Sequence, residues 1–415
     1  MSRGSSGTPR PTPPSTSLSS PRVIFVNRVY WPSTEATAQL LADLAPGLAA
    51  RGWAVHVIAA GEASTRHEGV TIHRTGAGER HGGLLSRVLN FRRFQKAASR
   101  QLAAVARAGD IVVAMTDPPL LGPHLAPLAA RLGVRLVHWV QDIYPEIAAV
   151  HFGAIADLLA SASRRRRDAA WRGAAACVTL GEDMRRVLLA QGVDPHRAIL
   201  LPNWAPRNLD QPAPAEAVAE RRRAWDVEEK FAVVYSGNLG RVHEFATALD
   251  AADRLRDRTD IAFLFIGRGP RLDEVSRAAA ARGLANVRVL PPEPRERLAA
   301  ALAAADAHLV TLRPAYASLV YPSKLAGVLA AARPVLFVGP PHGDIGRLLQ
   351  QGPCGAAFVP GDAAGLADTL LCWQREAAVR QKLGANARAA YQRQFTFAGA
   401  LDGWDGLLRR LAHPV

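Results

Sequence analysis

Val23-Ile24-Phe25-Val26-Asn27 is a short, uninterrupted apolar run, and Arg28-Val29-Tyr30-Trp31-Pro32-Ser33-Thr34 follows it as a turn. The spacing then predicts a helix from about Glu35 to Arg51, with Leu40, Leu41, Leu44 and Leu48 on one side and Gly52 closing it. Ala54–Ala59 reads as the next strand. Apolar strands alternating with helices make a parallel sheet covered on both faces. Outward from this unit the alternation continues through Val70–Arg74, Ile111–Met115, Val134–Val140, Cys177–Leu180 and Ile199–Leu201. It pauses at Asn203–Ala215, which holds three prolines, and restarts with Phe231–Ser236. Ile261–Ile266, Val287–Leu290, Ala307–Leu312, Val335–Val338 and Ala356–Val359 follow, then a mostly helical tail from about Ala363.

At 415 residues and 49% apolar content the chain exceeds one ordinary core, so two α/β domains of Rossmann-like type are expected. Residues 1–21, rich in Ser, Thr, Pro and Gly, read as a disordered tail. The first domain is expected over 22–202, a linker over 203–215, the second domain over 216–395 and a closing helix over 396–415. No run of about eighteen uncharged apolar residues predicts a transmembrane helix, and the N-terminus lacks the apolar core of a signal peptide. Cys177, Cys354 and Cys372 are odd in number and far apart, which fits a reducing cytosol rather than a disulfide framework.

The formal charge is +15 with only four lysines, so arginine carries the excess. Two stretches concentrate it. Arg87–Arg100 holds Arg87, Arg92, Arg93, Lys96 and Arg100 without an acid, and Arg92, Lys96 and Arg100 share a helical face opposite Leu84, Val88 and Phe91. Arg164–Arg172 is the second. Both suit an anionic membrane surface or substrate as well as a solvated face. No recognition motif points to nucleic acid.

Ligands of open parallel sheets collect at the carboxyl ends of strands. There the first half offers Ser33 or Thr34 as a helix cap, then Asp117, and then Gln141-Asp142-Ile143-Tyr144-Pro145-Glu146. Asp142 and Glu146 are the candidates for holding an acceptor or serving as general base; a cap or an Arg salt bridge is the plain alternative. In the second half, Gly237-Asn238-Leu239-Gly240-Arg241-Val242-His243 and Gly267-Arg268-Gly269 end successive strands, as a phosphate site requires. Pro322-Ser323-Lys324 opens a helix, where a cation is unfavourable unless an anion joins it. Asp344 can cap a later helix or bond a ribose. No His, Cys or Asp cluster has metal-ligand spacing, and no cofactor is expected.

These residues resemble those of family 4 glycosyltransferases, which have the GT-B fold, and in particular the WbuB-like subgroup that builds bacterial surface polysaccharides. The matching stretches are Asn27-Arg28 with Pro32, Ala36-Thr37-Ala38-Gln39-Leu40-Leu41, Thr116-Asp117-Pro118-Pro119, Gln141 to Glu146, Pro202-Asn203-Trp204, Tyr235-Ser236-Gly237-Asn238, Pro322-Ser323-Lys324 and Arg333-Pro334. The resemblance implies two facing domains, with the C-terminal helix returning to the first. It implies metal-independent, retaining transfer from a UDP- or GDP-sugar to a glycan or lipid-linked acceptor. Gly237, Asn238, Arg241, Ser323 and Lys324 would lie near the donor phosphates, with His243, Gly267, Arg268, Gly269, Pro322 and Asp344 around them. Pro32, Ser33, Thr37, Asp117, Gln141, Asp142 and Glu146 would face the acceptor. The chain departs from the family at Ala317, Leu319 and Gly327, where relatives carry acids, and at Ala326, Asp344 and Ser33. A weakened, nucleotide-binding scaffold is therefore the alternative.

Overall fold

The computed structural model describes residues 21–76 and 83–413. All but the last residue of the expected disordered tail lies outside them. The first sheet contains β1 (Arg22–Val26), β2 (Ala54–Ala59), β3 (Thr65–His67), β4 (Val70–Arg74), β5 (Ile111–Ala114), β6 (Arg135–Val140), β7 (Ala176–Thr179) and β8 (Ala198–Leu200), in the order β3-β4-β2-β1-β5-β6-β7-β8. The second contains β9 (Phe231–Asn238), β10 (Ile261–Arg268), β11 (Val287–Leu290), β12 (Ala307–Thr311), β13 (Val335–Val338) and β14 (Gly355–Phe358), in the order β11-β10-β9-β12-β13-β14. Every pairing is parallel except β3 with β4. Both sheets are the expected α/β, Rossmann-like units. Apolar runs announced thirteen strands; β3 is short, polar and largely exposed, so no run marks it.

Helices cover both faces of each sheet. The helix Ala36–Ala50 buries Leu41, Leu44 and Leu48 as its periodicity predicted. Helix Phe397–Ala412 lies against the first sheet: Trp404 is fully buried, 4.7 Å from the ring of Trp139 and 6.4 Å from Phe25. Between Leu200 and Phe231 the chain makes a short 3-10 turn at Arg207–Leu209 and the helix Ala215–Ala224.

The halves are packed through an apolar seam. Ile143, Leu180 and Met184 of the first share one cluster with Tyr316, Leu325 and Ile345 of the second. Backbone also crosses: the Ile143 N–H donates to the Leu319 carbonyl at 2.9 Å, and Asp142 and Val320 form an antiparallel bridge. Among the described residues no helix is long and apolar enough to cross a membrane.

Candidate active site between the halves

A cleft of about 300 Å³ opens where the helix after β1 faces the carboxyl end of β9. Ala36, Gln39 and Asp43 line one wall; Ser236, Gly237, Ser323 and Lys324 line the other. Lys324 begins its helix with no side chain capping it. Its ammonium donates to the Tyr235 hydroxyl and lies 3.6 Å from the centre of that ring. Among the described residues no carboxylate forms an ion pair with it. Burial pushes its pKa well below the usual lysine range. A cation desolvated without a counter-charge is a site for an anion.

The glycines differ in use. Gly237, at φ 125°, leaves its bare face to Lys324: an added Cβ would lie 3.7 Å from Cε and 3.8 Å from Nζ. Gly267 and Gly269 do not face the cleft in this sense. A Cβ on Gly267 would meet the Gly237 carbonyl at 2.0 Å, and one on Gly269 would meet the Asn238 Oδ1 and the Leu239 carbonyl at 2.7 Å. They let the ends of β9 and β10 run side by side past the sheet. Asn238 and Arg268, paired in register there, are exposed. Pro322 is buried and Ser323 exposed.

His243, placed around the donor phosphates by the sequence, where it could supply charge or a donor, is buried and neutral. Its Nδ1 lies 2.7 Å from the Thr311 carbonyl, and burial, reinforced by Lys324, pushes its pKa down to about 3. Arg241 is not brought to Lys324's cleft. It contacts His151 and lines a second opening with Arg271, Arg313 and Tyr316.

On the acceptor side, Asp142 has no hydrogen bond to its carboxylate among the described residues. Burial, and then the Asp117 charge, raises its pKa to about 6. The other polar candidates are committed. Glu146 is ion-paired with Arg164 and Arg167, and Arg167 is nearly buried against Trp171 at 4.2 Å. Asp117 takes a bidentate bond from Arg28 at 2.8 and 3.0 Å. Gln141 and Asn203 exchange amide bonds at 3.2 and 2.7 Å, both buried. Thr37 accepts from Asn27 at 3.3 Å. Neither Ser33 nor Thr34 caps the helix Ala36–Ala50; the Ser33 hydroxyl accepts from the Glu35 N–H at 3.3 Å, and Pro32 is exposed. Among the described residues no side chain is seen to cap that helix N-terminus where it reaches the cleft.

Asp344 does not present a carboxylate to a ribose. Its two oxygens accept from the Glu182 and Asp183 N–H groups at 3.1 and 3.0 Å, capping the helix Glu182–Ala190 of the other half. Asp183 returns the bond, accepting from the Asp344 N–H at 2.8 Å, and Arg347 bridges both carboxylates. Gly181 makes room, since a Cβ there would meet Asp344 Oδ2 at 2.2 Å. The position of the second family acid, Gly327, is walled by Leu302 and Leu209, 3.3 and 3.5 Å from an added Cβ. Sequence reading missed Tyr235, taken as a strand residue, and Asp183. Asp183 carries only a helix-start signal, which cannot show that its partner lies in the other half.

Two family profiles match this chain in order: a glycosyl transferase 4-like domain over residues 36–204 and glycosyl transferases group 1 over residues 230–375. The chain belongs to the glycosyltransferases, in the family-4-like group with the GT-B fold. It is 30% identical over 271 residues to the probable glycosyltransferase WbjE of Pseudomonas aeruginosa, covering 65% of this chain and 67% of that one. It is 28% identical over 216 residues to the putative colanic acid biosynthesis glycosyl transferase WcaI of Escherichia coli, about half of each chain at 52%. Among solved structures, sucrose-phosphate synthase from Thermosynechococcus elongatus shares the fold at a TM-score of 0.75 and 17% identity, over 94% of this chain and 99% of that one. HepE of Anabaena, solved with UDP and glucose, does so at 0.69 and 15%, over 94% and 99%.

Proposed function

We propose that the chain moves a hexose or N-acetylhexosamine from a UDP- or GDP-sugar to a glycan or lipid-linked glycan during surface-polysaccharide synthesis, with retention at the anomeric carbon and without a metal ion. The name of WcaI supports the pathway class, and the UDP held by HepE supports the donor class. The observation that carries the reading is Lys324: an ammonium with no carboxylate partner among the described residues, beside the bare face of Gly237 and across from the helix Ala36–Ala50, whose N-cap residue makes no side-chain cap. The leaving diphosphate would be stabilised there by the ammonium and by backbone N–H groups. Asp142 lines a separate small pocket of the first half with Thr116 and Tyr144; with a pKa of about 6, it would orient the acceptor hydroxyl or take its proton. Packing of the halves would exclude water from the transfer.

Lys324→Met tests this. Removing one charge-assisted contact is expected to weaken UDP or GDP binding by about 10- to 100-fold in calorimetry and to depress release of the nucleotide from labelled sugar donors. Unchanged affinity would remove the diphosphate site. The scaffold reading draws on Leu319 and Gly327, apolar where relatives are acidic. Nucleotide binding with no transfer to any acceptor would select it.

The reading extends to the inner membrane face. Arg87, Arg92, Arg93, Lys96 and Arg100 are all exposed on the helix Leu84–Val105. Phe152, Ile155 and Leu158 stand out from the helices Glu146–Phe152 and Ala154–Leu159, with Ile155 at 78% exposure. Exposed basic charge and exposed apolar side chains on the same half suit an anionic lipid surface.

A further inference from the structure

Lys324 is held in a way that the donor-site reading leaves unexplained. A lysine has four flexible carbons, and fixing its ammonium at one point needs a partner. Among the described residues that partner is no acid. The charged and titratable groups around it are His243, neutral on the loop after β9, and Asp43 with Arg295, which pair with each other at 3.9 Å in the same cleft. Tyr235, within β9, supplies the remaining polar contact. Its ring is 1% exposed and fixed between Phe265 at 6.0 Å and the edge of His243 at 5.7 Å. Its hydroxyl hydrogen is committed to the Asn238 carbonyl at 2.8 Å, so the oxygen is left to accept. The ammonium donates to that oxygen over the ring face.

We propose that Tyr235 is the positioning residue for Lys324, its hydroxyl oxygen and ring face together holding the cation beside Gly237 where the donor diphosphate arrives. This rests on the reading of Lys324 as the diphosphate's cation. The hydroxyl bond and the cation–π contact both favour the charged ammonium, against the burial that opposes it. The tyrosine does for this chain what a neighbouring carboxylate would do elsewhere, without the like charge that would repel a diphosphate.

Tyr235→Phe keeps the ring and its packing and removes only the oxygen. UDP and GDP affinities of wild type, Tyr235→Phe and Lys324→Met are measured by calorimetry between about pH 6 and pH 9. Without the oxygen the ammonium loses its proton at lower pH. Tyr235→Phe is therefore expected to bind within about threefold of wild type at the acid end and about tenfold more weakly at the alkaline end. Lys324→Met is expected to bind weakly with little pH dependence. A Tyr235→Phe profile superimposable on wild type, or displaced equally at every pH as a structural defect would be, overturns the positioning role. Wild-type binding by Lys324→Met would instead sink the donor-site reading on which it stands.

Discussion

Asp142 sits where its charge is poorly solvated. Burial first, and the neighbouring Asp117 second, hold its proton to about pH 6. The raised value means that the folded chain binds a proton which the unfolded chain has already released. Stability is then greatest below the unfolded pKa of about 4, falls between about pH 4 and pH 6, and stays on the lower level above. Asp142→Asn removes that penalty. It is expected to gain about 1–3 kcal/mol at pH 7.5 in denaturant melts, yet to lose about 10²- to 10⁴-fold in turnover. The wild-type rate should show an acid limb near pH 6. A variant that turns over normally would strip Asp142 of its role. Sequence order placed this residue at the mouth of the sheet. Whether its carboxylate was paired or bare depended on neighbours far along the chain, as Glu146 shows: it has the same kind of address but is engaged by two arginines.

At the scale of elements, the helices Glu182–Ala190 and Asp344–Gln351 meet end to end and cap each other. Neither Gly181 nor Gly343, the residue preceding each helix, has a side chain to do so. Each N-terminus is satisfied by an acid from the opposite half, with Arg347 offsetting the two carboxylates. Asp344→Ala and Asp183→Ala are each expected to cost about 1 kcal/mol, and the double variant less than the sum because the bonds are shared. Small-angle scattering of the double variant should show a wider separation of the halves. Strict additivity together with an unchanged profile would mean that these caps do not couple the halves. The helix starts themselves were legible; Asp344 was even read as a possible cap, but for its own helix.

For the whole molecule, the first half carries the basic helix Leu84–Val105 and the exposed Phe152, Ile155 and Leu158. Replacing these three by serine should weaken binding to vesicles containing anionic phospholipid by about 100-fold in co-sedimentation, because each apolar side chain contributes on the order of 1 kcal/mol when inserted. Binding that ignores both these residues and the anionic lipid would exclude the surface. Trp404, remote in sequence from Phe25 and Trp139, completes the core of the first sheet.

What the amino-acid order settled by itself was periodic. Short β-branched apolar runs bounded by turns, such as Val23–Val26 and Val335–Val338, favour buried strands, and glycines at strand ends mark close backbone approach. That local physics specified two parallel α/β sheets. What folding alone decided was pairing. Among the described residues Lys324 pairs with no carboxylate and leans on Tyr235, Asp344 serves the other half, Gln141 is spent on Asn203, and Arg241 faces a different opening. Those outcomes depend on distances between side chains dozens to hundreds of positions apart, and electrostatic and hydrogen-bond energies fall away within a few ångströms, so no pattern along the chain encodes them.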